Sequence, residues 1–264
     1  MPSPLRLLLA SLLVCTPLAA RADNPVVRIS TDLGAFDVEL CDAVSTLCLA
    51  ATPIAVANFL GYVDRGDYDG TIFHRSIAKP AYLEDFIIQG GAFYFDGEII
   101  KQRTPGPSIE NEFVPINSNR RGTLAMAKFG NDPDSATNQW FINLADNGEP
   151  PPNGLDYQNG GFTVFGVIVG EGMAVVDLLA VVPPYNMIAT TQLRNLFRLY
   201  VDPDSIDANF QSLPLQKDTL TVADLPNLSQ YALEISVTRV AEPGAAGGVA
   251  LLALLTLAAR RRAS

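Results

Sequence analysis

The sequence is poor in the residues that most enzymes use for covalent and proton-transfer chemistry. Of 264 residues one is histidine and three are cysteine. With His74 alone, there is no second imidazole to relay a proton or to share a metal ion. No glycine-rich phosphate loop is present. Positive charge is also scarce: 18 Lys and Arg stand against 28 Asp and Glu, a net charge of −10. Such a surface repels phosphate backbones, which excludes nucleic acid as a partner. Nothing in this inventory asks for a metal or a cofactor.

Long apolar runs occur only at the two ends. Arg6 precedes an apolar run over residues 7–18, and Ala20-Arg21-Ala22 has the small-x-small pattern of a leader cleavage site. This predicts a signal peptide over residues 1–22 and a mature chain beginning at Asp23, with a net charge of −12. Pro2, Pro4 and Pro17 argue against a buried N-terminal helix, and Cys15 lacks the preceding small residue of a lipidation site. At the other end, Glu242-Pro243-Gly244 leads into an apolar run over 245–259 and then Arg260-Arg261-Arg262. As a helix that run spans about 22 Å against a hydrocarbon core of about 30 Å, short for a permanent span. The arginines would keep its far end cytoplasmic. Short motif, apolar helix and arginine cluster together resemble bacterial sorting tails of the PEP-CTERM type, over residues 241–264. A plain tail anchor is the alternative. Either implies transient or lasting membrane insertion, and an exported protein of the periplasm or cell envelope.

The exported part keeps two cysteines, Cys41 and Cys48. In an oxidising compartment a pair this close reads as a disulfide. Metal binding would compete, but no histidine or third cysteine lies nearby to complete a site.

Residues 23–240 read as one domain with an insertion at about 183–230. Alternating patterns at 26–30 and 35–40 flank Asp32-Leu33-Gly34 and predict a hairpin. Thr52-Pro53 opens a helix with Thr52 as N-cap, Ile54, Ala57, Leu60 and Val63 share its apolar face, and Gly66 ends it. Short strands are expected at 71–75, 86–89, 122–127, 139–144 and 163–169. A second helix is expected at 173–180 and a closing strand at 231–240. Many short strands with two helices predict a mainly β fold, a closed antiparallel barrel. The 183–230 segment, opened by Pro183-Pro184, does not follow this rhythm.

The richest stretches are Phe73-His74-Arg75 and Phe86-Ile87-Ile88-Gln89-Gly90-Gly91. They place a guanidinium and an amide among apolar side chains, a set suited to a reaction that breaks no covalent bond, such as rotation about an X–Pro peptide bond. With Gly122-Thr123-Leu124-Ala125-Met126-Ala127, Asn138-Gln139-Trp140-Phe141-Ile142-Asn143 and Phe162-Thr163-Val164-Phe165-Gly166, they resemble the cyclophilin family of peptidyl-prolyl cis-trans isomerases. The pieces stand in family order from about 26 to 180, and Asp134-Ser135-Ala136-Thr137 to Asp146-Asn147 is similar to the bacterial branch.

The resemblance implies a closed eight-stranded antiparallel barrel capped by two helices, with the groove on its outer wall. It implies no cofactor, and proline-containing polypeptides as substrates. Arg75 would be the catalytic donor to the prolyl peptide group, and Gln89 would steady it and hold substrate backbone. Phe86, Ile87, Phe141, Leu155 and Phe162 would line the prolyl pocket. Gln139 and the backbone of Ala127 and Lys128 would bind the residues before the proline. His74 would be structural.

Four positions depart from the family pattern. Ile87 replaces a common methionine, Lys128 an asparagine, and Phe162 a histidine or tyrosine. Gly154 stands where an aromatic residue usually walls the pocket. Insertions at 76–84 and 149–153 border the groove. The expected function is a monomeric peptidyl-prolyl isomerase assisting the folding of exported proteins. The runner-up is a proline-peptide binding module with little catalysis, tethered at the envelope. Arg75, Gln89 and Phe141 favour the enzyme; Gly154 and the long insertion favour the module.

Overall fold

The computed structural model of the chain describes residues 23–79, 84–149, 154–185, 187, 199, 210, 212–217 and 219–241. The expected leader, the tail from residue 242 and much of the 183–230 segment lie outside the described residues, as do the centres of the two groove insertions.

The chain opens with β1 (Val26–Thr31) and β2 (Gly34–Leu40), the expected hairpin. Its period-2 pattern buries Val27, Ile29, Phe36, Val38 and Leu40 on one face. The bridge Cys41–Cys48 follows, with Cα atoms 5.1 Å apart and both side chains buried. Helix α1 (Pro53–Asp64) has Pro53 in its first turn and ends at Gly66, whose φ is +70° and whose N–H donates to Val63 O.

Two details of α1 differ from the sequence reading. Thr52 occupies the N-cap position, but its hydroxyl donates to Val164 O at 3.2 Å. The first helical amides, Ile54 N and Ala55 N, donate instead to the Glu112 carboxylate at 3.1 and 2.7 Å. A distant carboxylate thus takes the capping role and also complements the positive end of the helix dipole. The buried face carries Ala55, Val56, Phe59, Leu60, Tyr62 and Val63, whereas Ile54 and Ala57 are exposed. An i, i+3 series starting at Ile54 is offset from that face, which is wider because α1 packs over β strands rather than along one partner helix.

The strands continue as β3 (Thr71–Ile72), β4 (Arg75–Ile77), β5 (Ile87–Gly90), β6 (Phe93–Asp96), β7 (Ile99–Gln102), β8 (Thr123–Met126) and β9 (Trp140–Asn143). After them come β10 (Val164–Ile168), helix α2 (Gly172–Ala180), β11 (Pro184–Tyr185), β12 (Leu213–Pro214), a 3-10 helix over Val222–Tyr231, and β13 (Glu234–Arg239). Every pairing is antiparallel, and one curled sheet runs β4-β5-β9-β8-β10-β2-β1-β13-β3-β6-β7. Its eleven strands exceed the expected eight for two reasons. The β6–β7 hairpin is additional, and residues 71–77 count as two strands. Within that segment β3 pairs with β13 and β4 pairs with β5, and His74 N donates to Gln89 O between them.

The inner face of the sheet is filled by Trp140, packed edge-on at 5.8–6.3 Å against Phe59, Tyr68 and Phe73, while Phe59 also meets Phe165 at 5.0 Å. Burying each such ring contributes roughly 1.5–3 kcal/mol. A second cluster joins Ile72, Phe93 and Ile100 to Phe210, Leu213, Leu225 and Leu228. The described part of the 183–230 segment therefore covers the β6–β7 end of the sheet. There Thr221 and Asp224 form a capping box at the start of the 3-10 helix.

Candidate active groove

Directly opposed residues in an antiparallel sheet project to the same face. The register places Arg75 opposite Gln89, Gln89 opposite Phe141, Phe141 opposite Ala125, and Ala125 opposite Val164. One row across β4, β5, β9, β8 and β10 thus carries a cation, an amide and apolar side chains on the outer face. Ile88, Ile142 and Leu124, one residue out of phase, enter the inner core. Ile87, Ala125, Phe141, Leu155 and Val164 form a separate apolar cluster outside, with Phe86, Ala127 and Phe162 packed against it.

Arg75, Gln89 and Phe141 of this row border a cavity of about 240 Å³, together with Phe86, Ile87, Ala127, Lys128, Leu155, Gln158 and Phe162. Every side chain expected in the site except Gln139 lies there. Gln139 lines an adjoining cavity of about 220 Å³, shared with Gln89, Ala127, Lys128, Phe129, Ser135 and Thr137. Arg75 Nη1 donates to Gln89 Oε1 at 3.3 Å, and Gln89 Nε2 donates to Gln139 Oε1 at 2.8 Å. Both glutamines are buried, so this relay holds the guanidinium from behind with little freedom. The backbone N–H of Ala127 is already bonded to Gln139 O, so Ala127 has its carbonyl to offer a peptide.

Phe162 meets Phe141 edge-on at 5.7 Å. Gly154 has a steric reason: a Cβ there would lie 2.0 Å from Gly148 O. Backbone of Gly148 and Glu149 occupies the space that a side chain at position 154 would need. Leu155 is nevertheless held at the cavity, its N–H bonded to Asn147 O and its carbonyl to Phe162 N.

His74 points away from the groove. It is fully buried and packs edge-on against Phe93 at 4.8 Å. Burial, and then the charge of Arg75, lower its pKa to about 3, so the ring is neutral at working pH. Fully buried and neutral, the ring is out of reach of solvent. Lys128 is half-buried, and burial lowers its pKa to about 8 against the opposing pull of Asp134 and Asp132.

The sequence reading missed Gln158, Phe129, Ser135 and Thr137. Ser135 and Thr137 lie inside the quoted Asp134-Ser135-Ala136-Thr137 stretch, but nothing in their spacing says that the loop folds back over the sheet. Gln158 sits in a turn with no periodic pattern.

A fixed donor beside an apolar cavity can hold a ring-bearing residue and direct N–H groups at its peptide bond. A model of the family described as cyclophilin type peptidyl-prolyl cis-trans isomerase matches residues 26–195. A peptidyl-prolyl cis-trans isomerase of Acinetobacter baylyi is 41% identical over 160 residues, 61% of this chain and 74% of that one. Peptidyl-prolyl cis-trans isomerase A of Dickeya dadantii is 36% identical over 177 residues, 67% of this chain and 82% of its own length. Peptidyl-prolyl cis-trans isomerase B of Escherichia coli is 43% identical over 125 residues, 47% of this chain and 70% of its own. With most of the described sheet inside the matched region, the chain belongs to the cyclophilin-type peptidyl-prolyl cis-trans isomerases.

Proposed function

We propose that the groove catalyses cis–trans rotation about X–Pro bonds in proline-containing polypeptides, and that the chain does so outside the cytoplasm as a monomer. The observation that carries the activity is the Arg75–Gln89–Gln139 relay beside the apolar cavity. A planar prolyl amide resists rotation by about 18–20 kcal/mol. As it twists, resonance is lost and the nitrogen lone pair localises into a good acceptor. Arg75, held by Gln89, donates to that nitrogen and so binds the twisted state more tightly than either planar one. Phe86, Ile87, Phe141, Leu155 and Phe162 hold the prolyl ring while the chain before it turns. Gln139 and the Ala127–Lys128 backbone bind those preceding residues. No bond is broken and no cofactor takes part.

The finer architecture belongs to the same reading. Counting residues 71–77 as one bent strand gives eight strands in a ring, closed because that strand pairs with β13 at one end and β5 at the other. The pairings support this closure, with the β6–β7 hairpin as an appendage.

The export reading rests on the leader, the tail and the disulfide. We place cleavage after Ala22, and a sorting tail processed near Glu242 to Gly244. Isomerisation of a short Ala-Pro peptide, followed by NMR exchange without a coupled protease, tests the activity. Intact mass of protein from soluble and envelope fractions tests the ends. Absence of catalysed exchange would leave only the binding-module reading. Soluble chain ending at Ser264 would defeat both tail readings.

A further inference from the structure

Beside the groove the backbone makes a turn in which Asn159, Gly160 and Gly161 all have positive φ, at 49°, 74° and 78°. Three such residues in succession are costly for an ordinary chain. Here their three consecutive carbonyls are each met by a side-chain donor. Lys128 Nζ donates to Asn159 O at 2.8 Å and to Gly161 O at 2.6 Å. Asn111 Nδ2 donates to Gly160 O at 2.9 Å. Asn111 is in turn fixed by the Thr163 hydroxyl, which donates to its Oδ1 at 2.7 Å, and Lys128 Nζ reaches the same oxygen at 3.4 Å. The residue after the turn is Phe162, and the Lys128 ammonium lies 4.8 Å from its ring centroid.

A surface lysine would be expected to pair with a carboxylate. Among the described residues none lies within ion-pair distance of Lys128. Its ammonium meets instead backbone carbonyls of the turn that joins two residues of the cavity wall, Gln158 and Phe162, and the ring face of Phe162 itself. Resting on the isomerase reading above, we propose that Lys128 is a positioning residue for the prolyl pocket. Its ammonium gathers the carbonyls of the 159–161 turn and thereby sets the pose of Phe162 against Phe141.

The arrangement makes an unusual demand on pH. The charged groups around the ammonium are Asp132 and Asp134, with Arg75 on the same cavity. The pKa of Lys128, about 8, lies below its ordinary value of 10.5. Folding therefore disfavours the cation, and losing the proton above that pH does not destabilise the fold. The neutral amine, however, keeps two N–H groups for three acceptors, so the turn loosens. Substrate binding and stability respond to rising pH in opposite directions.

The test uses the full chain, an Ala-Pro peptide assayed by NMR exchange, and amide hydrogen exchange of Gly161 and Phe162. Their N–H groups bond to Gln158 O and Leu155 O. In Lys128→Met, KM should rise about tenfold, the scale of one lost charge-assisted hydrogen bond, with most of the loss in KM rather than kcat. The two amides should exchange faster by a similar factor. In the wild type KM should rise between pH 7 and 9.5 while Tm does not fall with it. Lys128→Arg, whose cation does not titrate, should hold KM within about threefold and remove the pH step. Wild-type KM and exchange protection in Lys128→Met would overturn the proposal, as would a flat KM profile in the wild type. If Lys128→Met does not fold, the wild-type profile and Lys128→Arg decide. A wild type without isomerase activity would refute the activity reading alone, and the exchange measurements would still decide the role of Lys128.

Discussion

Arg75 and Gln89 are cross-strand partners on β4 and β5, and the guanidinium donates to the amide oxygen at 3.3 Å. The pairing is a consequence of register: a slip of one residue would send one of the two into the core. The second glutamine, Gln139, holds Gln89 in turn.

Arg75→Ala should therefore lower turnover by about 10²–10³, the loss expected from one preorganised donor. The midpoint of urea unfolding should hardly move, since Arg75 lies at the groove surface. Arg75→Lys should recover little, because an ammonium lacks the planar fork. Peptide exchange by NMR measures both, and near-normal turnover in Arg75→Ala would remove that residue from the mechanism.

The kcat should stay flat from about pH 6 to 9, because Arg75 does not titrate there. His74 acts on stability instead. Its folded pKa of about 3 lies below the unfolded 6.5, so the unfolded chain binds the extra proton between those values. Stability is complete above the unfolded pKa and is lost as pH falls towards 3, by at most about 5 kcal/mol. Urea midpoints at pH 7 and pH 4 should differ more for the wild type than for His74→Gln. A kcat step near pH 6.5 that disappears in His74→Gln would instead mark the histidine as a participant.

Cys41 and Cys48 should be oxidised in exported protein, with a mass two hydrogens below the reduced chain and no alkylation in the native state. Closing this short loop is worth roughly 2–2.5 kcal/mol in the chain-entropy model, so reduction in urea should shift the midpoint accordingly. Because both sulfurs are buried, a reductant should act only as the fold opens. Ready alkylation of native protein would contradict the bridge.

Glu112→Ala should destabilise the fold by about 1–2 kcal/mol, through loss of the carboxylate that receives two orphan amides of α1. Groove chemistry should be spared, with kcat close to wild type. An unchanged urea midpoint would show that water replaces the carboxylate at no cost.

These cases show which parts of the molecule can be read along the chain. The hairpin of β1 and β2, the ends of α1 near Pro53 and Gly66, and the strands that carry Arg75, Gln89 and Phe141 follow from local patterns. The cap of α1 does not, because Glu112 is 58 residues from Ile54. The β6–β7 hairpin was legible but missed: Asp96-Gly97 is a strong turn signal, and Gly97 has a φ of +64°. The second apolar cluster was not legible, since Phe93 and Phe210 become neighbours only through tertiary packing. The groove was read from motif resemblance. Spacing alone would have left Phe86 and Phe141 as ordinary core, and gave no sign that Lys128 would meet a turn more than thirty residues away.

The position of β13 constrains how the molecule is made. It lies between β1 and β3, so the last strand of the domain is a central member of the sheet. A chain that emerges from its amino end exposes the open flanks of β1 and β3 until residues 234–239 arrive. Neither flank can be covered sooner, and both offer free backbone groups to other chains in the interval. A peptidyl-prolyl isomerase thus spends most of its own synthesis with its sheet unjoined, until the six-residue strand β13 links β1 to β3.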